Sequence, residues 1–353
     1  GLERWSPESI EQGLGGSETA AIQVAKEISA KGLRVLVFGE VDGIYDGVRY
    51  RHHSKWSADI SCWVFVSWRR PELMTAVTGA NLRYLWVHDT DYGDRITKEI
   101  VAACDGLLVM SEWHRKHLLG RYPWLEEFKL TVVGDGIDPS RFGQETRGHV
   151  YFPPEIKRVP HRLVYASSPD RGLEQVLGLW PTIRERWPDA TLDIFYGWEN
   201  FDRMGGDQAY RRKIGELAKQ EGVTWKGRTG QTQLARELLA ADAMLYPGPH
   251  DFCETFGIAF LEAQAAGCVP VTRDNGALPE TNRFGILLPN TSEGWIGGLA
   301  GAFSYGTLKR LRMARWAWTQ TWDVVANNIL RHAIKTTRVQ ELERQEEPVG
   351  SAV

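Results

Sequence analysis

The chain has 353 residues, of which 42% are hydrophobic and 25% charged, and this length suits two domains, each with its own core. A formal net charge of −3 argues against nucleic acid as the main partner. Four widely spaced cysteines (Cys62, Cys104, Cys253, Cys268) with no C-x-x-C pair argue against a disulfide framework or a cysteine metal site. No leader-like segment and no run of about 18 apolar residues is present, so a cytoplasmic protein without a membrane span is expected.

The chain opens with Gly1-Leu-Glu-Arg-Trp-Ser-Pro, which reads as a loop leading to a helix. Residues 13–31 then read as a Gly loop feeding a helix. Ser17 is the candidate N-cap, and Ala21, Val24, Ala25 and Ile28 form its apolar stripe. Two adjacent glycines, Gly15 and Gly16, let backbone N–H groups approach a phosphate closely; a plain turn is the alternative. The segment is not G-x-G-x-x-G, so a dinucleotide fingerprint is missing.

Strand-like runs at 34–39, 62–67, 82–88 and 107–110 alternate with helical ones near 71–78, 94–102 and 111–120, a pattern that predicts a parallel sheet. Residues 129–133 make a last strand. After the turn Gly134-Asp-Gly-Ile-Asp138 and a Pro-rich stretch, the alternation restarts. Strands are expected at 163–166, 191–196, 223–226, 243–246, 268–272 and 285–288. Helices are expected near 172–187, 207–221, 231–240, 254–266 and 291–303, with longer ones at 305–318 and 321–345. The fold class is therefore α/β, with two doubly wound halves. Their expected bounds are 1–145, a linker at 146–160, and 161–320, followed by a C-terminal helix and frayed tail at 321–353.

In such sheets ligands bind beyond the carboxyl ends of the strands. His88 follows a strand and is placed to hydrogen-bond a ligand, with a structural histidine as the alternative. Arg171, between a strand and a helix, suits a diphosphate, or is an exposed helix-start arginine. Arg228 and Thr229 follow another strand and border the same edge. Asp89 and Asp91 form a D-x-D pattern that suits a divalent metal, though chance aspartates in a polar loop are the plainer reading. His114 and His117 share a helix face but lack a third ligand, so they read as core or surface residues. Two segments, 113–124 and 308–322, mix Arg and Lys with Trp. They read as interdomain packing, with a weak peripheral membrane contact as the alternative.

The stretch 247–272, PGPHDFCETFGIAFLEAQAAGCVPVT, carries the densest chemistry. It reads as loop, helix, Gly stop and strand. On one helix Glu254 and Glu262 would lie ~12 Å apart along the axis, too far to hold one metal or share a proton. They suit a long ligand with hydroxyls at both ends, such as a nucleotide sugar whose diphosphate sits on the helix N-terminus near Phe256 and Gly257. The plain alternative is a solvated helix with one glutamate at its N-terminus.

With these pieces placed, the chain resembles the family-4 retaining glycosyltransferases of the GT-B fold. The likeness rests on Glu254-x7-Glu262, Gly15-Gly16, His88 and Gly134-Asp-Gly-Ile-Asp138. It implies two Rossmann-like domains facing across a cleft, an acceptor-side one first and a donor-side one second, with the C-terminal helix packing back on the first. It also implies transfer of a sugar from a UDP- or GDP-linked donor to the hydroxyl of a glycan, lipid or small molecule, with no metal and no other cofactor. Glu254, Phe256 and Gly257 would hold the donor sugar, Glu262 the ribose, and Gly15, Gly16 and Arg171 the diphosphate; Arg228 and Thr229, from their place after a strand, would border the base. His88, Arg171 and Glu254 are the expected catalytic set.

The sequence departs from the family in three places. The motif G-R-x-x-x-x-K-G is replaced by Ala166-Ser-Ser-Pro-Asp-Arg-Gly172, the asparagine before "GID" is Asp135, and a strand ahead of the Gly-Gly loop has no counterpart. Three rivals remain open: a catalytically silent GT-B binder of nucleotide sugar or glycan, a metal-dependent transferase using Asp89 and Asp91, and a sugar-nucleotide epimerase.

Overall fold

A computed structural model describes residues 4–203, 205–248, 252–288 and 294–346. The chain divides into two compact units, one of Gln23–Gly134 with Asp323–Val353, the other of Gly1–Ile22 with Asp135–Trp322. The division differs from the expected bounds at the start of the chain, where the opening 22 residues group with the second half; the last helix groups with the first half.

In the first unit, strands β1 (Leu36–Gly39), β2 (Gly43–Tyr45) and β3 (Val48–His52) form a small sheet, with β1 parallel and β2 antiparallel to β3. Strands β4 (Cys62–Trp68), β5 (Ala80–Trp86), β6 (Gly106–Val109) and β7 (Leu130–Val132) form a separate parallel sheet in sequential order. The single sheet expected to include residues 34–39 is thus two sheets. The β2–β3 hairpin went unread in the sequence although its signal was present. Tyr45-Asp46-Gly47-Val48 is a two-residue turn with positive φ at both Asp46 (49°) and Gly47 (78°), the geometry that Asp-Gly favours.

Helices α1 (Gly16–Ala30), α2 (Leu73–Ala76), α3 (Lys98–Ala102) and α4 (Glu112–Arg121) follow the expected alternation. Ser17 lies inside α1 rather than capping it, because the helix already begins at Gly16. Leu85, Val87, Leu107, Val109, Leu118 and Leu130 are buried together in the core.

The second unit opens with the hairpin β8 (Gln144–Thr146) and β9 (His149–Tyr151), closed by a two-residue turn with positive φ at Arg147 and Gly148. These residues are ordered structure, not the linker expected over 146–160. Six parallel strands follow: β10 (Arg162–Tyr165), β11 (Thr191–Ile194), β12 (Val223–Trp225), β13 (Ala243–Tyr246), β14 (Val269–Arg273) and β15 (Ile286–Leu288). Their order is β12-β11-β10-β13-β14-β15, so the sheet winds outward in both directions from a switch point between β10 and β13.

Around the sheet lie α5 (Leu173–Arg186), α6 (Glu199–Arg203), α7 (Gln208–Leu217), α8 (Gln231–Ala240), α9 (Ile258–Ala265), α10 (Leu278–Thr281), α11 (Gly294–Phe303) and α12 (Thr307–Ala317). The last helix is α13 (Trp322–Glu346). The tryptophans of 308–322 were expected to pack between domains, but two of them pack within this unit. Trp318 Nε1 donates to the Ala265 carbonyl at 2.9 Å, and Trp316 packs against Phe284.

Candidate functional site

The switch point decides where the second unit's chemistry gathers. The loop leaving β10 carries Arg171, and the loop leaving β13 carries Phe252 and Glu254. Arg171 Nη1 donates to Glu254 Oε1 at 3.4 Å, and its guanidinium lies 3.6 Å from the centroid of the Phe252 ring. Tyr246, at the end of β13, donates its hydroxyl to the same Glu254 oxygen at 2.6 Å. Burial opposes the charge of Arg171, but Glu254 and other acidic neighbours more than offset it, so its pKa lies above the usual value. Residues 249–251 of the expected Pro/Gly loop lie outside the described residues.

Glu254 is not in the helix. The helix starts at Ile258, four residues later than expected, because Gly257 adopts a left-handed conformation with φ 89°. A side chain there would lie 2.6 Å from the Phe260 ring. The separation expected for two glutamates on one helix therefore does not apply.

Glu254 is instead gripped through its backbone by the loop after β14. Ala277 N–H donates to the Glu254 carbonyl at 2.8 Å, and Asn275 Nδ2 donates to the Phe252 carbonyl at 2.7 Å. A Cβ at Gly276 would lie 2.3 Å from the Glu254 carbonyl oxygen, so this grip requires glycine.

The first N–H groups of α9, at Ile258 and Ala259 beside Phe256 and Gly257, have no acceptor within the helix. A second helix start meets them. A Cβ on Gly16, the first residue of α1, would lie 3.2 Å from Ile258 Cδ1, so the Gly15-Gly16 loop rests on the start of α9. The same loop rests on Arg228, since a Cβ at Gly13 (φ 93°) would lie 2.7 Å from both Arg228 Cγ and the Thr229 carbonyl oxygen. The fold thus brings Gly15, Gly16, Arg171, Arg228, Glu254, Phe256 and Gly257 into one unit. Two helix N-termini and a guanidinium are features that suit an anion.

Glu262 sits inside α9 and is buried. Burial pushes its pKa up to about 7, and Arg141 partly opposes the rise. Arg141, which the sequence reading missed, also bonds Gln231, whose Nε2 donates to Thr19 Oγ1 in α1 at 3.0 Å. Tyr246, Phe252 and Arg141 carry no motif; only the strand-end position of Tyr246 was visible in the sequence.

In the first unit, His88 lies two residues past β5, buried beside the rings of Trp68 and Trp86. Its backbone N–H donates to the Tyr92 hydroxyl at 3.0 Å. Burial, then the charges of Arg69 and His114, hold its pKa well below the usual value, so the ring is neutral.

Asp89 and Asp91 do not point at a common centre. Asp89 accepts two bonds from Arg69, at 2.9 and 2.6 Å, while Asp91 accepts from Arg121 and from the Gly93 N–H. Both carboxylates are engaged in ion pairs, which weighs against the metal reading of D-x-D. His114 and His117 anchor this loop through the carbonyls of Asp89 and Thr90, at 3.0 and 2.9 Å. Asp135 is buried, and its Oδ1 has no hydrogen-bond partner among the described residues. Burial raises its pKa well above the usual carboxylate value.

Residues 163–293 match the family Glycosyl transferases group 1. The matched region contains Arg171, Arg228, Glu254 and Glu262. The chain is 28% identical over 201 residues to glycogen synthase from Mycobacterium tuberculosis, covering 55% of this chain and 45% of that protein. It therefore spans about half the length of that curated relative.

Among solved structures, a glycosyltransferase from Rickettsia africae ESF-5 superposes with a TM-score of 0.70 at 14% identity, covering 92% of this chain and 95% of the other. Anabaena HepE, in complex with UDP and glucose, has a TM-score of 0.64 at 13% identity, covering 91% of this chain and 96% of the other. Similarity at this level establishes the fold, which is GT-B, with two Rossmann-like α/β units. No helix among the described residues is long and apolar enough to cross a membrane.

Proposed function

We propose that the protein is a metal-independent, retaining glycosyltransferase that moves a sugar from a nucleoside-diphosphate donor, UDP- or GDP-linked, to an acceptor hydroxyl. The observation that carries this reading is the convergence of Arg171, Glu254 and the starts of α1 and α9 at the switch point of the six-stranded sheet. The group 1 match and the likeness to a fold partner whose structure holds UDP and glucose support it.

In this reading the bond between the anomeric carbon and the diphosphate oxygen breaks, and the acceptor oxygen bonds to that carbon from the same face. The acceptor proton passes to the departing phosphate oxygen. Arg171 and the free N–H groups of the two helix starts stabilise the negative charge that develops on the diphosphate. Glu254, held by Tyr246, Arg171 and the loop after β14, positions the sugar hydroxyls. Glu262 takes the ribose and Arg228 borders the base. The four cysteines are all free, which supports a reducing, cytoplasmic setting.

The test is a thermal-shift panel of UDP-, GDP- and ADP-sugars without metal, followed by turnover against glycan, lipid and small-molecule acceptors. One donor is expected to raise Tm, with the shift lost on Arg171→Ala, and turnover is expected to persist in chelator. Donor binding without turnover against any acceptor would favour the silent binder, and no shift with any donor would sink the reading.

A further inference from the structure

The first unit holds a second group of reactive side chains that glycosyl transfer does not use. Strands β1 and β3 run parallel with Gly39 opposite His52, so Glu40 and His53 leave the same carboxyl edge side by side. One ligand atom from each of Glu40, His52 and His53 lies within 4.8 Å of the others. No other group of three or more His, Cys, Asp or Glu side chains among the described residues converges in this way. His53 Nδ1 is 3.7 Å from Glu40 Oε1, close to the ~3.4 Å that two ligands keep around a tetrahedral zinc ion. The two imidazole rings lie 4.2 Å apart between centroids.

The surroundings suit a cation. Ser54 holds the His52 ring in place: its backbone N–H donates to His52 Nδ1 at 3.3 Å, and its Oγ lies 2.8 Å from the same nitrogen. Lys55, on the same turn, donates to Asp42 at 2.7 Å, and Asp42 also accepts the His52 backbone N–H at 3.3 Å. The local positive charge is therefore tied to its own carboxylate. His53 Nδ1 lies 3.2 Å from the Gly39 carbonyl, a contact that a metal at this nitrogen would replace.

We propose that Glu40, His52 and His53 form a binding site for a borderline divalent transition metal of the Zn2+ class, with the fourth position open to water. Two nitrogens and one oxygen favour zinc over magnesium or calcium, which take oxygen ligands. Ligands from the ends of two neighbouring strands join β1 to β3, so binding stabilises the unit that contains them.

The experiment strips the full chain of metal, then titrates Zn2+ against a chromophoric zinc chelator and follows Tm in parallel. One Zn2+ per chain is expected, with a rise in Tm that Mg2+ does not produce. Glu40→Gln and His52→Ala should each weaken binding at least tenfold, with circular dichroism unchanged. Co2+ should give the strong visible bands of a tetrahedral site in the parent and not in the double variant. Equal Zn2+ affinity in the parent and the double variant would mean that ordinary surface histidines take the metal and that the site does not exist. If a variant is misfolded by circular dichroism, the Co2+ spectrum of the parent decides alone, and octahedral, weakly coloured Co2+ overturns the proposal.

Discussion

Glu262 is a carboxylic acid in a place where a carboxylate is costly. Its folded pKa of about 7 lies above the ordinary 4.5, so between these values the folded chain holds a proton that the unfolded chain has released. That contribution to stability is full below about pH 4.5 and is lost as pH rises through about 7. A shift of this size corresponds to roughly 3 kcal/mol. Glu262→Gln, neutral at every pH, should therefore flatten this part of the pH–stability curve and raise Tm at pH 8. At pH 8, where the parent is ionised, the same variant should bind donor about tenfold or more weakly, because a charged acceptor of hydrogen bonds is gone. Urea melts at pH 5 and pH 8, with and without donor, check both. An unchanged slope would show that Glu262 does not carry the proton. The spacing of the two glutamates was legible in the sequence, but the burial that shifts Glu262 was not, because it depends on what covers α9.

The start of α9 shows what local pattern misses at the scale of an element. Apolar spacing from Phe256 onward read as a helix near 254–266, with Glu254 just before or within its first turn, but Gly257 delays the start to Ile258. This leaves Glu254 outside the helix, where the loop after β14 holds it. Gly276 is the closest point of that grip, with φ 61° and the Glu254 carbonyl directly where a side chain would be. Gly276→Ala should cost roughly 1–3 kcal/mol of stability. It should also weaken donor binding through a displaced Glu254, read as a lower Tm together with a smaller donor-induced shift. A lower Tm with the donor shift intact would separate folding from positioning. The strands were legible almost residue by residue, since each is a short apolar run bounded by turn residues. The two hairpins were missed because their strands are three to five residues long and largely exposed, so only the Asp-Gly and Arg-Gly turns marked them.

At the scale of the whole molecule, the chain passes from one unit to the other after residues 22, 134 and 322. Helix α13 completes the first unit. Thr336 Oγ1 accepts from the Tyr84 hydroxyl at 3.0 Å, Gln340 Nε2 donates to Asp105 at 2.6 Å, and Val325, Ala326, Ile329 and Ala333 are buried. A chain ending at residue 322 should leave the β4–β7 sheet exposed. Hydrogen exchange should then lose protection in β5, β6 and β7 while β10, β13 and β14 keep theirs. Equal loss in both sheets would mean that the two units do not unfold separately.

The sequence by itself determined the alternation of strands and helices and the GT-B resemblance, because periodicity and strand-end position are local properties. Tertiary structure alone decided the sheet order that sets Arg171 beside Glu254, the resting of Gly16 on the start of α9, and the burial that raises the pKa of Asp135 and of Glu262. Those depend on contacts between residues tens to hundreds of positions apart. Solvation and close approach are properties of the folded surroundings rather than of the chain next to each residue.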